Sequence, residues 1–477
     1  HCEPEMNAAR TISNFGSNVH FQPAGYFEPQ DEAEVISILN QCRDQQIRVI
    51  GSLHSWSELV VTDGIVLNVT RLQQIDLQSD GESAWVGAGC QIKTVIAELK
   101  RKGRTLPSLG LITEQTIAGA TSTGTHGSGR HCLSNYIQAV RVARFDPATG
   151  QAMIEQIEAG DELRAAKCGL GCLGVIVSLK VQCRERYSIE EHIREYPSLE
   201  SVLDAQEQFP LQQFYLAPWR WTFLAQHRRE VPLKRSLLAG LYRIYWFLMI
   251  DLGLHLLVLF ALRIVHSGSF VRFLYRRVIP RTVIHNWKVT DESSAMLIME
   301  HELFRHIEIE LFVLRDRLEP ALNYVRDVLT VAANPSANSA TTSATIPDQE
   351  GLEALRGIYC HHYPICVRRI VSDDMLISMA SGGNQDWYAI SIISYARPTE
   401  RAGFKAVAAF LAKSMSRRFG ARPHWGKYCP LPAEDLVGLY PEFGRFRQIC
   451  EDRDPQGRFR NRWMTELFHV TSTSPES

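Results

Sequence analysis

Residues 116–129 read TIAGATSTGTHGSG, and this stretch decides the fold. After its first threonine it packs four glycines, five serine or threonine hydroxyls and His126 into one short segment. Glycines let backbone N–H groups converge on an anion, and hydroxyls add donors, which suits a pyrophosphate. The spacing is not GxGxxG opening a crossover helix, so a Rossmann nucleotide site is disfavoured. A plain linker is the competing reading, but linkers rarely sit between strands of one domain with this density of donors.

Working outward, GSLHSW at 51–56 follows the predicted strand IRVIGS. His54, flanked by Gly51, Ser52 and Ser55, can occupy a tight turn where backbone approaches a ligand. Taken alone, such a histidine is more commonly an ordinary core or surface residue. Residues 31–42 carry apolar side chains at helical spacing. GIVLNV, SAWVGAG, YIQAVRVARF and GCLGVIVSLKVQC read as strands, and TVIAELKRKG as a helix ending at Gly103. Strands and helices mix without repeating βαβ units, which gives an α+β class.

Farther on, RHIEIELFVL, HYPICVRRIV and WYAISIISYA alternate as strands, LEPALNYVRDVL is an amphipathic helix, and a second helix runs to Gly420. Residues 332–349 form a small-residue loop, expected to be solvated and mobile. PHWGKYCP at 423–430 offers Lys427 as a cation in a rigid frame, able to stabilise a developing anion; an ordinary exposed loop is the alternative. The stretch 237–265 is strongly apolar but interrupted by Arg243, Asp251 and His255, leaving clean pieces of about two helical turns each. Arginines and lysines bracket it, the composition of helices lying in a membrane interface. A hairpin buried in a soluble domain is the competing reading.

The 477 residues suffice for two or three domains. A net charge of -1 gives no field for nucleic acid. Eleven cysteines, an odd number, argue against a disulfide framework. Cys168 with Cys172, and Cys360 with Cys366, lack metal-type spacing with histidines, so no metal site is expected; buried thiols suggest a reducing compartment. The chain starts at His1 without methionine, and a processed segment is an open reading.

In this order and spacing, the motifs GSLHS, SLGLITEQTIAGATSTGTHGSG, GLGCLGVIVSLKVQC, RPHWGKYC and YPEFGRF with DPQGRFRN resemble the vanillyl-alcohol-oxidase type of FAD enzymes, and within them the aldonolactone oxidases. The resemblance covers nearly the whole chain. It implies a segment 1–20 and an FAD-binding domain of the two-subdomain PCMH type over 21–183. An antiparallel-sheet substrate cap over 184–427 would carry the apolar membrane-associating insert near 233–280, and residues 428–477 would return to the FAD domain. By the same resemblance His54 carries the flavin's 8α-methyl bond, which would raise the cofactor's redox potential. Gly119, Thr121, Ser122, Gly124, Thr125, His126, Gly127, Ser128 and Gly129 fall in the loop around the pyrophosphate. Gly171 and Gly174 match a segment near the adenine-side half, and Lys427 matches a lysine near flavin N1, where charge accumulates on reduction.

The family's Glu-x-Arg pair becomes Cys366 and Arg368, a departure, since a thiol cannot accept sugar hydroxyls as a carboxylate does. Glu308 and Glu310 share one strand face by the period-two rule and are the candidate replacements; a solvated strand face is the bland alternative. The implied reaction is oxidation of an aldono-1,4-lactone of the L-gulono type, by hydride transfer to flavin N5 with oxygen forming hydrogen peroxide, on a route to ascorbate. Competing readings are a dehydrogenase using a cytochrome or quinone, an alditol oxidase, and a silent flavin-binding scaffold. The implied location is a membrane surface, of the endoplasmic reticulum in a eukaryote or the cytoplasmic membrane in a bacterium.

Overall fold

The computed structural model describes residues 10–299, 303–336 and 348–470. Most of the expected loop at 332–349, the residues 337–347, lies outside this set, as do residues 1–9 and 471–477 at the ends of the expected terminal segments.

A three-stranded parallel sheet has Ile65–Asn68 at its centre, between Gly25–Phe27 and Ile47–Ile50. Ile65, Val66 and Leu67 are all buried, as expected for a parallel strand covered on both faces. The connecting helix Glu32–Gln41 starts at Asp31, whose carboxylate accepts the Glu34 N–H at 2.9 Å. Beside it, a five-stranded antiparallel sheet runs in the order Ala152–Ile157, Ile137–Phe145, Val175–Gln182, Ser83–Gly87, Ile75–Leu77. Val175–Gln182 alternates buried and half-buried residues with period two, so one face meets the core.

The other half is built on an eight-stranded antiparallel sheet. Its order is Val289–Glu292, Ser188–Tyr196, Phe223–Val231, Gln213–Leu216, Ile365–Ile370, Trp387–Tyr395, His306–Leu314, Arg422–Pro423. Helices Leu318–Ala332 and Pro398–Phe419 pack against this sheet. The register aligns Cys366 with Ser391 and Ser391 with Glu310, so these three stand in one row across adjacent strands. Glu308 and Glu310 do share a face, but it is not the solvated face weighed above: both side chains are buried.

Three readings change. The glycine-rich turns expected over 119–129 start later, because residues 119–122 belong to the short helix Ile117–Ser122. The apolar stretch expected as two short pieces is one continuous helix, Ala239–Val265, 27 residues whose most apolar 18-residue window has mean hydropathy 2.2. Arg243, Asp251 and His255, which looked like interruptions, recur on the helix face that lines an internal cavity, so they do not break it. Only 17% of its most apolar window is buried, and after left-handed His266 a second helical run covers 268–282. Finally, several cap strands, Ser188–Tyr196 and Phe223–Val231 among them, carry so many charges that their pattern hid them. The ten cysteines among the described residues are unpaired.

The C-terminal segment packs on the N-terminal half. Ile47 N–H donates to Arg458 O at 2.7 Å, and Asn461 donates to the carbonyls of Glu58, Leu59 and Val61. Arg48, buried, donates to the carbonyls of Leu59, Leu170, Gly171 and Phe459, tying three distant segments together. Arg48→Met should therefore lower stability by about 3 kcal/mol, since buried carbonyls lose their donors. A urea titration would show a lower midpoint; an unchanged midpoint would mean the carbonyls find other donors.

Candidate active site

The strand Ile47–Ile50 delivers the chain to the turn holding His54. A Cβ on Gly51 would sit 2.1 Å from the Thr116 hydroxyl, so only glycine lets the turn and the threonine-rich motif meet. Leu53 adopts φ 58°, a left-handed conformation costly for a leucine, which swings His54 to the cavity wall. The His54 ring stacks on Phe15 at 5.0 Å. Burial, opposed by Glu114 and reinforced by Lys427, brings its pKa down to about 4, so the ring is neutral and nucleophilic. Trp56 N–H donates to Gly426 O at 2.9 Å, and its indole N–H to His306 O at 2.8 Å. The His54 turn is thereby fixed to the Lys427 loop and to the start of the strand His306–Leu314.

A cavity of about 790 Å³ opens here, within the usual range for ligand sites. Along one wall stand Gly51, Ser52, His54, Ser55, Gly119, Ser122, Thr125, His126, Gly171 and Gly174, all singled out above. Gly174 has φ 132°, and a Cβ there would lie 2.5 Å from Ala143 O. Five expected cofactor residues do not line it. Thr121 spends its hydroxyl on the Ile117 carbonyl at 2.9 Å. Gly124 packs on Met379, and Gly127 on the Leu109 carbonyl. Ser128 donates to Gln212 O at 2.5 Å and Gly129 N–H to Arg369 O at 2.6 Å. The end of the motif staples the two halves of the molecule together; a glycine-rich segment serves close backbone contact of either kind, which is why its pattern could not separate the two uses.

The facing wall carries Glu308, Glu310, Cys366, Arg368 and Lys427. Lys427 Nζ lies 2.6 Å from Glu308 Oε2 and 4.4 Å from the Trp56 ring centroid, so it is no loose loop cation. Arg368 Nε donates to Cys366 Sγ at 3.5 Å, and burial pushes the Cys366 thiol up, keeping it protonated. Two residues escaped the sequence reading. His424, in the Lys427 motif, is buried beside Glu310; its neighbourhood was flagged but its own role was not. Tyr242 donates to Glu191 at 2.6 Å, and Glu191 pairs with Arg228 at 2.5 Å, where the cavity passes under the helix Ala239–Val265. There the lining becomes Phe247, Ile250, Leu254, Ile279, Val283 and Met296.

Comparisons with known proteins agree with this architecture. Residues 23–151 match the FAD binding domain family, and residues 254–467 the D-arabinono-1,4-lactone oxidase family. A protein of an uncultured marine euryarchaeote, named long-chain alcohol oxidase, is 54% identical over 463 residues, 96% of this chain and 97% of that protein. The L-gulonolactone oxidase of Mus musculus is 25% identical, covering 96% of this chain and 98% of its own length. A solved solvent-stable cholesterol oxidase superposes with a TM-score of 0.76 at 13% identity, covering 98% and 99% of the two chains, which speaks to the fold. The wall fits FAD: glycines admit close backbone approach, Ser122 and Thr125 supply hydroxyls, and His54 is neutral. The chain belongs to the vanillyl-alcohol-oxidase-type FAD oxidoreductases, in the aldonolactone oxidase family.

Proposed function

We propose that this enzyme oxidises the hydroxyl-bearing carbon of a long-chain alcohol at a membrane surface, with oxygen as electron acceptor and hydrogen peroxide as product. The observation that carries the reading is the cavity itself, polar at Arg368 and Lys427 and, beneath the helix Ala239–Val265, lined by Phe247, Ile250, Leu254, Ile279 and Val283 beside the few charged or polar groups Arg243, Asp251, His255, Glu191 and Arg228. The name of the 54%-identical relative supports it, and so does Cys366, which removes the carboxylate a sugar would use. FAD held in this groove would supply the hydride-accepting chemistry. In this reading His54 holds the cofactor covalently. Gly119, Ser122 and Thr125 flank its pyrophosphate, and Gly171 and Gly174 its adenine half, across domain bounds at about 21–183 and 184–427. Lys427 supplies fixed positive charge where negative charge develops, and Arg368 orients the substrate oxygen.

The outer face of the same helix exposes Leu241, Met249, Leu256, Phe260 and Ile264. An apolar face flanked by Arg235, Arg276, Arg277 and Arg281 suits docking on anionic lipid. A second reading, oxidation of an aldono-1,4-lactone, is favoured by one observation: Glu308 and Glu310 enrich the polar end of the cavity in hydrogen-bond acceptors.

Three measurements test this. Oxygen uptake should follow addition of 1-dodecanol and stay near background with L-gulono-1,4-lactone; the opposite ranking favours the second reading, and there Cys366→Glu should raise the lactone rate. After acid precipitation the yellow colour should stay in the pellet for the wild type and move to the supernatant for His54→Ala; colour retained in the variant's pellet reassigns the linkage. The protein should sediment with anionic vesicles, and Leu241→Glu combined with Leu256→Glu should release it; sedimentation unaffected by both substitutions removes the helix from docking.

A further inference from the structure

The reaction proposed above releases a proton as well as a hydride, and Cys366 stands where the family's carboxylate would be. Another group must take that proton. His126, Glu310 and His424 lie on the cavity wall, with one nitrogen or oxygen of each within 4.8 Å of the others. All three are buried.

Hydrogen bonds settle the tautomers. His126 Nδ1 lies 2.9 Å from the Gly127 carbonyl, which can only accept, so Nδ1 carries hydrogen. Its Nε2 then faces Glu310 Oε1 at 3.3 Å. A neutral His126 would oppose two lone pairs there, so the contact requires one further proton between nitrogen and oxygen. Ser391 Oγ donates to the same Glu310 oxygen at 2.7 Å. His424 is the reverse case: Gly426 N–H donates to its Nδ1 at 3.0 Å, so the neutral ring carries hydrogen on Nε2. Neither His424 nitrogen offers a free lone pair, which argues against a metal at these three residues.

Resting on that reading of the reaction, we infer that His126 and Glu310 act together as its proton acceptor, with His424 as a tautomer-locked neighbour. With a bound flavin to take up the hydride of the substrate C–H bond, the O–H bond would break and its electron pair would form the carbonyl. The proton passes to the space between His126 Nε2 and Glu310 Oε1, where the contact demands one. The pair must release that proton before the next turnover. Burial raises the Glu310 carboxyl, but the facing His126, with Arg368 and His424, holds it well below the usual range. Burial lowers His424 to about 3, so it stays neutral throughout. Arg368 and Cys366 flank the pair across the sheet, and Glu308 with Lys427 lies one turn of the pleat away.

The acceptor works only when its shared proton is absent, so the rate should fall as pH falls. In the FAD-loaded enzyme, Glu310→Gln and His126→Gln should each lower kcat/KM for 1-dodecanol about 100-fold, typical of a lost general base, and erase the acid limb of the pH profile. Glu310→Asp should restore part of the rate, and flavin absorbance should show full loading in every variant. Rates and profiles unchanged in both glutamine variants would overturn the inference while leaving the oxidation intact; a wild type that oxidises neither alcohol nor lactone would instead overturn the reaction itself. Histidine-selective 15N NMR of the wild type provides a readout free of turnover. His126 should carry hydrogen on Nδ1, while His424 stays neutral with Nε2–H down to about pH 5. A His126 ring bare at Nδ1 would refute the pairing.

Discussion

Two carboxylates two residues apart, on a strand covered on both faces, cannot remain without partners. An isolated buried charge costs several kcal/mol, and breaking a buried pair is as harmful. Glu308 and Glu310 meet that constraint with Lys427 and with His126 beside His424. Each partner comes from a segment remote in sequence, so the requirement also fixes how the segments meet. The loop 424–428 is held on the strand by His424 N–H to Glu310 O and Tyr428 N–H to Glu308 O, both at 2.9 Å. Through Trp56 the same loop grips the His54 turn. The site is thus assembled by the need to neutralise one strand.

Much of this was legible in the sequence because it is local. The His54 turn, the glycine-rich stretch and the Lys427 motif each read as close backbone approaches or positioned charges, the resemblance added Gly171 and Gly174, and all contribute to one cavity. The Cys366 departure was visible as well. What failed was non-local. The alternation in His306–Leu314 correctly put Glu308 and Glu310 on one face, but which faces are covered depends on Trp387–Tyr395 and Pro398–Phe419. Thr121 and the segment 127–129 shared the composition of their neighbours, yet hydrogen-bond within their own helix or to the cap sheet. The helix Ala239–Val265 read as broken because charge was counted along the chain and not around the axis.

The same helix connects fold to function. One face lines the cavity and the other presents leucine, isoleucine and phenylalanine to the surroundings. In the proposed reading a substrate with an apolar tail would pass from lipid to the polar end while its tail stays desolvated, and each methylene buried would favour long chains by about 0.8 kcal/mol. At the far end Arg368, Cys366 and the His126–Glu310 pair present one guanidinium, one neutral thiol and one proton-accepting couple. That set recognises a single hydroxyl group more readily than the several hydroxyls of a sugar.

The most direct measurement is a crystal structure of the FAD-loaded enzyme with dodecanoic acid, an unreactive analogue of a long-chain alcohol. The account predicts the polar head between Arg368 and the His126–Glu310 pair, and the chain running beneath Tyr242 and Phe247 toward Ile279. A head group at the mouth with the chain in solvent, or a tail binding on the glycine-rich wall, would contradict it.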